Sequence, residues 1–172
     1  MTADERFAFT PGVVAVEAVL AATPAVTILL PHLHVYPGGM LLTLQALGRR
    51  IAMTAPDQWR LITSTFLGLP HDLQGQVQEE DLLQIGIRSA SCTWWENDPG
   101  LLAPRRVSVD QTEFDDRLTG AITAWIGSLP PPPNFEVLLR WPSAGIADAV
   151  IRIESAAVAE AARRSRLLWD AT

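Results

Sequence analysis

His32 and His34 sit two residues apart in Leu30-Pro31-His32-Leu33-His34-Val35, a segment whose apolar content marks a strand. Side chains two apart on a strand point to the same side. That spacing can aim two imidazole nitrogens at one metal ion. A metal would need further ligands, and His71, Glu79, Glu80 and Asp81 are the residues of suitable type. The plainer reading makes both histidines polar residues on the solvated side of a half-buried strand, with Leu33 and Val35 turned inward. The alternation fits both readings.

Trp94-Trp95-Glu96-Asn97-Asp98 follows a strand-like run. Adjacent residues on a strand face opposite ways, so one tryptophan is expected inside and one outside. An outward Trp beside carboxylates, here Trp95 or Trp94 with Glu96, has the composition of a sugar- or peptide-binding loop. Asp110, Glu113, Asp115 and Asp116 gather acidic groups in an expected turn, but the register and glycine of an EF-hand are missing. Cys92 stands alone, which excludes an intrachain disulfide and a multi-cysteine zinc site. It has no local nucleophile signature, and a small buried Cys is the commoner case. No GxSxG, Walker A, GxGxxG or HExxH pattern occurs. Cupin-type barrels also use a histidine pair like His32 and His34, so a metal-dependent cupin-like enzyme is the catalytic alternative. It requires a barrel interior behind that strand.

Composition narrows the rest. The 172 residues are 48% apolar and 19% charged, enough for one domain with a sizeable core. Thirteen basic against nineteen acidic residues give a net charge of −6, the wrong sign for a nucleic-acid face or a polybasic membrane surface. All the basic residues are Arg. With no Lys, Schiff-base and phosphate-gripping lysine chemistry is excluded. Abundant Ala, Arg and Pro beside two Asn point to a GC-rich coding sequence. The start, Met-Thr-Ala-Asp-Glu-Arg, is polar, and Val13 to Leu30 is broken by Glu17 and Pro24. Neither a signal peptide nor a membrane span is expected, which leaves the cytoplasm as the expected location.

The elements that must position these residues are read from Pro and Gly punctuation. Val13 to Leu20 reads as a strand, though its Ala and Glu content would also permit a short helix, and Ala25 to Tyr36, Met40 to Leu47, Leu82 to Ala90, Arg105 to Gln111, Gly120 to Ile126, Phe135 to Trp141 and Ile146 to Ile153 read as strands. Tyr36-Pro37-Gly38-Gly39 reads as the turn of the clearest hairpin. Pro56 to Leu67 fits a short helix with Asp57 as cap and Trp59, Ile62 and Phe66 on one face, though Trp59, Leu61 and Thr63 would also suit a strand. Residues 70–80 read as a polar loop. Ser155 to Trp169 is Ala-rich, free of Gly and Pro, and helical, with Val158, Ala161, Ala162, Ser165, Leu168 and Trp169 on one face and Arg163, Arg164 and Arg166 near its end. Residues 1–10 are expected as a loose arm on a single domain, 1–172. The fold class is mainly β: a jelly-roll or Greek-key β-sandwich with one C-terminal helix packed on it, or alternatively an α+β layer with a single curved sheet.

The C-terminal third carries a resemblance. It reads Trp125, then Leu129-Pro130-Pro131-Pro132-Pro133, then a strand ending Trp141-Pro142, then Gly145-Ile146, then an Ala-rich helix ending Leu168-Trp169. This pattern resembles a group of small uncharacterised actinobacterial proteins, as do Tyr36-Pro37-Gly38-Gly39 and Leu83 to Arg88. It spans residues 10–50 and 82–170 loosely. Two features depart from it: Asp110 to Arg117 is acidic where the group has a glycine-rich run, and Trp94 to Gly100 replaces an Asp-Gly turn. The resemblance implies the strand boundaries and the source, and no activity. From the residues themselves, the four prolines form a rigid crossover between strands.

Taken together, these features favour a soluble binding or assembly domain without catalysis. The expected partners are a protein or another copy of the chain, with no nucleic acid, no membrane and no cofactor. Binding residues are sought first at Trp94, Trp95 and Glu96, and a metal, if any, at His32 and His34.

Overall fold

A computed structural model describes residues 8–50, 55–67, 82–90, 93–95, 102–110, 117–131 and 133–168, with the segment 102–110 as backbone. Alternating apolar residues build the strands, and the breakers end them. β1 (Phe9–Thr10) is followed by β2 (Gly12–Ala22), β3 (Val26–Tyr36) and β4 (Gly39–Arg49), an antiparallel meander. Tyr36 pairs with Gly39, so Pro37 and Gly38 form the expected two-residue turn. Helix α1 (Pro56–Leu67) leads to β5 (Gln84–Arg88), β6 (Thr93–Trp95), β7 (Leu102–Asp110), β8 (Arg117–Ile126) and β9 (Asn134–Trp141). A 3-10 turn (Pro142–Ala144), β10 (Ile146–Glu154), helix α2 (Ser155–Arg164) and β11 (Arg166–Leu167) complete the described chain.

The strands divide between two principal sheets, so the single curved sheet is not formed. One has five strands in the order β2-β3-β4-β8-β7, the other four in the order β10-β9-β5-β6, and β1 pairs with β11. Every pairing is antiparallel. Ile28, Leu30, Leu33, Leu42, Leu44 and Ile122 of the wide sheet share one buried cluster with Ile85, Ile87, Val137, Leu139 and Ile153 of the narrow one. The fold is therefore mainly β, with a C-terminal helix. The segment between β8 in one sheet and β9 in the other, with Pro130, Pro131 and Pro133 described, is the crossover. It is held at the far end, where the Ser155 hydroxyl donates to the Pro131 carbonyl at 3.1 Å and the Ser155 amide to the Pro133 carbonyl at 3.2 Å.

α1 adopts the helical alternative because Trp59, Ile62 and Phe66 all reach the common core. Asp57 is the second residue of that helix, not its cap, and its charge still suits the positive end of the helix dipole. A buried polar contact fixes the helix in place. The Trp141 indole N–H donates to Thr65 Oγ1 at 2.9 Å, and Ser143 Oγ lies 2.8 Å from the same oxygen. Thr65 has one proton, and the Leu61 carbonyl at 2.7 Å takes it. Thr65 therefore accepts from both Trp141 and Ser143.

α2 is shorter than its composition predicts. It ends at Arg164, and Ser165 is extended with φ −62° and ψ 134°. The cause lies at the other end of the chain. Ser165 Oγ donates to the Thr10 carbonyl at 2.8 Å, Arg166 and Leu167 pair with Thr10 and Phe9, and the Leu168 amide donates to the Ala8 carbonyl at 2.7 Å. Phe9 and Thr10 are thus part of a sheet and not of a loose arm. Residues 1–7 and Trp169 lie outside the described residues. α2 reaches β2 because Gly12 has no side chain: a Cβ there would fall 1.8 Å from the Ala161 carbonyl oxygen.

Thr65→Val keeps the shape of the side chain but leaves the buried Trp141 N–H without its acceptor. It should lower unfolding stability by about 1–3 kcal/mol, read from urea denaturation followed by tryptophan fluorescence. No measurable loss would show that the contact does not anchor α1.

Candidate functional site

The position of the histidine pair depends on one irregularity in β3. Val26, Ile28 and Leu30 face the core. Strict alternation from there would turn His32 and His34 inward. Instead the inward phase resumes at Leu33 and Val35, both fully buried. The register with β4 slips between Leu29 and Leu33, and β3 carries one extra residue there. Pro31 lies inside this bulge. Proline has no N–H to give to a ladder, and in a strand paired on both sides it is tolerated at a bulge. β2 slips in the same region, between Ala15 and Ala18, and Glu17 there takes φ 51°. Left-handed backbone at a residue with a Cβ is strained, which marks how firmly the bulge is imposed.

The result is a pair of half-buried imidazoles on the outer side of the wide sheet. Their ring centroids are 4.5 Å apart, with planes inclined by 42°. His34 pairs with Val13 of β2 and Leu41 of β4, and His32 pairs with Ala15. No hydrogen bond joins either ring to another described residue. The His34 imidazole is held below the ordinary value of 6.5, first by burial and then by its neighbour His32. The pair therefore does not face a barrel interior. The sheet is open, and the enclosed site that the cupin-like reading needs is not formed behind this strand. Among the described residues no group of three His, Cys, Asp or Glu is placed to hold a metal. His71, Glu79, Glu80 and Asp81, offered above as further ligands, lie outside the described residues, as do Cys92, Glu113, Asp115 and Asp116. Asp110 ends β7.

The surroundings of the pair are unlike the rest of the surface. The outward residues of the wide sheet include Val13, Ala15 and Val19 on β2, Thr27 and Leu29 on β3, Leu41, Thr43, Gln45 and Leu47 on β4, and Thr119, Ala121, Thr123 and Trp125 on β8. Val13, Val19 and Leu47 are exposed by 46%, 60% and 45%. Among the described side chains, the charges bordering this face include Glu17 at the edge bulge, Arg164, which donates to the Val13 carbonyl at 2.9 Å, and Arg49 and Arg117 at the far end. Tyr36 and Trp125 pack edge to face at 5.6 Å and add a small aromatic cluster at the opposite end.

The narrow sheet has the contrary outer face. Arg88 donates to Glu136 at 2.6 Å, Arg152 approaches the same carboxylate at 3.4 Å, and Arg140 donates to Asp148 at 2.6 Å. The arginines hold the Glu136 carboxyl below its usual range, chiefly through the hydrogen bond from Arg88. A cleft of about 240 Å³ beside them is lined by Arg88, Ser89, Asn134, Glu136 and Arg152 among others, and these ion pairs run along it. Between the two charged groups, Trp95, Gly86, Leu138 and Val150 form a transverse apolar row.

The tryptophan pair divides as strand geometry requires. Trp94 packs against the core, and Trp95 turns outward. Trp95 lies over Gly86, where a Cβ would come within 2.8 Å of its ring, and the Arg140 guanidinium sits 4.5 Å from the ring centroid. It is engaged on its own sheet, as an aromatic covering a strand glycine. Glu96 lies outside the described residues. The residues that sequence reasoning passed over are the uncharged ones around His32 and His34. Their signal was Pro31, a proline in the middle of an apolar strand, which marks a bulge and so a change of face. No described helix is long and apolar enough to cross a membrane.

Compared with known protein families, curated proteins and solved structures, the chain matches none.

Two measurements test this geometry. Glu17→Gly removes the Cβ from a left-handed position and should raise stability by about 1 kcal/mol or less, whereas Glu17→Val should lower it, both read from urea midpoints. For His34, the folded group binds its proton at lower pH than the unfolded one. Between the two values the unfolded chain holds more protons, so stability rises with pH there. The His34 contribution is fully present above about pH 6.5 and is lost as pH falls below it. NMR titration should place the His34 midpoint below 6.5, and His34→Gln should flatten this part of the pH–stability curve.

Proposed function

We propose that this chain is a binding or assembly domain that works through the outer face of its five-stranded sheet, by self-association or with a protein partner. The observation that carries the reading is the contrast between the two outer faces. An antiparallel sheet with one face in water ordinarily alternates apolar inside and polar outside. The narrow sheet follows that rule with three arginines paired to two carboxylates. Over the described side chains of β2, β3, β4 and β8, the outward positions between the bordering charges carry none, although 32 of the 172 residues are charged (13 Arg and 19 acidic). Aliphatic and hydroxyl side chains without charge are the composition of an interface centre, where charged groups are depleted.

The size also fits. At about 4.8 Å between strands and 3.3 Å per residue, the four strands β2, β3, β4 and β8, taken at the eleven-residue length of β3, cover about 700 Å². A stable interface buries about 800 Å² per partner. Charge at the ends, from Arg49 and Arg117, supplies the polar rim such patches carry. The resemblance to small actinobacterial proteins adds no activity to this reading, and cytoplasmic residence is part of the proposal.

The test places like charges on the face. Val13 and Leu47 are already exposed, so Val13→Glu with Leu47→Glu should leave monomer stability within about 0.5 kcal/mol. Sedimentation velocity over a concentration series should show association in the parent chain, weakened about tenfold or more in the variant. A parent chain that stays monomeric at every concentration, with no change in the variant, would count against assembly through this face.

A further inference from the structure

We infer that His32 and His34 are half of a transition-metal site and that a second copy of this chain, docked on the same face, supplies the other half. The inference rests on the reading of that face as an assembly surface and names its occupant and its ligand.

The donor set selects the metal. Two imidazoles suit Zn²⁺, Ni²⁺ or Cu²⁺, and hard ions such as Mg²⁺ and Ca²⁺ require oxygen ligands instead. The separation fits as well. An ion that holds nitrogen at about 2.0–2.1 Å in a tetrahedron puts two ligand nitrogens about 3.3 Å apart. Rings whose centroids are 4.5 Å apart on one side of a strand reach that spacing by rotation about their side-chain torsions. Neither ring is committed to a hydrogen bond with another described residue, so binding an ion breaks none of those bonds.

One chain leaves such an ion half coordinated. The cross-strand neighbours are Val13, Ala15 and Leu41, which cannot ligate, and the described residues place no third His, Cys, Asp or Glu beside the pair. A second copy has the missing donors in the same arrangement. In a two-fold dimer the same patch meets itself, and an axis passing near the histidines brings two pairs together around one ion. Four imidazoles then complete the shell. The cross-strand neighbours of the pair carry no charge, and Arg164, which donates to the Val13 carbonyl at 2.9 Å, stands at the edge of the patch. The bulge at Pro31 is what makes the arrangement possible, since it turns both rings to the docking side.

The experiment uses the full chain, freed of metal with EDTA and then titrated with zinc chloride, followed by sedimentation velocity and metal analysis. Nickel chloride serves as the second probe. The expected result is one ion for two chains, a doubled mass, and self-association tightened about tenfold or more, the linkage of an ion that binds the dimer and not the monomer. EDTA should reverse it. His32→Gln with His34→Gln should abolish uptake and the metal response while circular dichroism stays unchanged. Copper(II) loading should give an electron-paramagnetic spectrum with several equivalent nitrogens. One ion per chain at unchanged mass would overturn the shared site. A dimer that ignores EDTA and persists in the His32→Gln, His34→Gln variant would overturn the metal inference and leave the assembly face standing. A monomer that takes up no metal, and that Val13→Glu with Leu47→Glu leaves unaltered, would overturn both.

Discussion

The outer face of this protein depends on a single extra residue in β3. Pro31 cannot donate to a sheet ladder, and β3 is flanked on both sides. The strand accommodates the proline by bulging, and a slip of one residue exchanges the two faces. Leu33 and Val35 enter the core, and His32 and His34 leave it. Without the bulge two imidazoles would be carried into a hydrocarbon interior, where their ring nitrogens would need partners that Leu42, Leu44 and Ile122 cannot offer. The opposite strand shares the distortion, since Glu17 takes a left-handed backbone where β2 follows the slip. The bulge therefore serves both core and surface: it keeps the apolar phase continuous inside and gathers the polar aromatic pair outside.

The two sheets share one core and differ at the surface. Their described inner faces are alike, apolar and largely buried. Their outer faces are opposite in character. On the narrow sheet, Arg88, Arg140 and Arg152 bind Glu136 and Asp148 across neighbouring strands, an arrangement content in water. On the wide sheet the cross-strand rows are Val13, His34, Leu41 and Trp125, or Leu29, Gln45 and Ala121. Trp95 is occupied on its own sheet, through Gly86 and Arg140.

Long-range contacts decide the ends of the structure. The helix α2 carries enough Ala to continue past Arg164, yet Ser165 turns out to bond the Thr10 carbonyl and the chain pairs with β1. A sheet pairing and a hydroxyl bond outweigh a few residues of modest helix propensity. At the other end of the sandwich, Thr65 ties α1 to Trp141 and Ser143 through partners about eighty residues away. Both are joints between segments distant in sequence, so no local pattern announces them.

The sequence by itself determined β2 to β5 and β7 to β10, the Tyr36 to Gly39 turn, the proline crossover and the α1 face of Trp59, Ile62 and Phe66, because each follows from spacing within one short segment, whereas β1, β6 and β11 were not legible in it. It also determined that Trp94 and Trp95 face opposite ways and that His32 and His34 face the same way. It did not determine which way. Period two in a strand is blind to the choice of side, and only the bulge, set by pairing with β2 and β4, puts the histidines outside. The uncharged patch around them was equally hidden, since Val13, Leu41, Ala121 and their neighbours come from different parts of the chain and meet only when the sheet forms. The end of α2 and the order of strands within each sheet were likewise decided by tertiary contacts, where distant backbone groups find hydrogen-bond partners that local sequence does not contain.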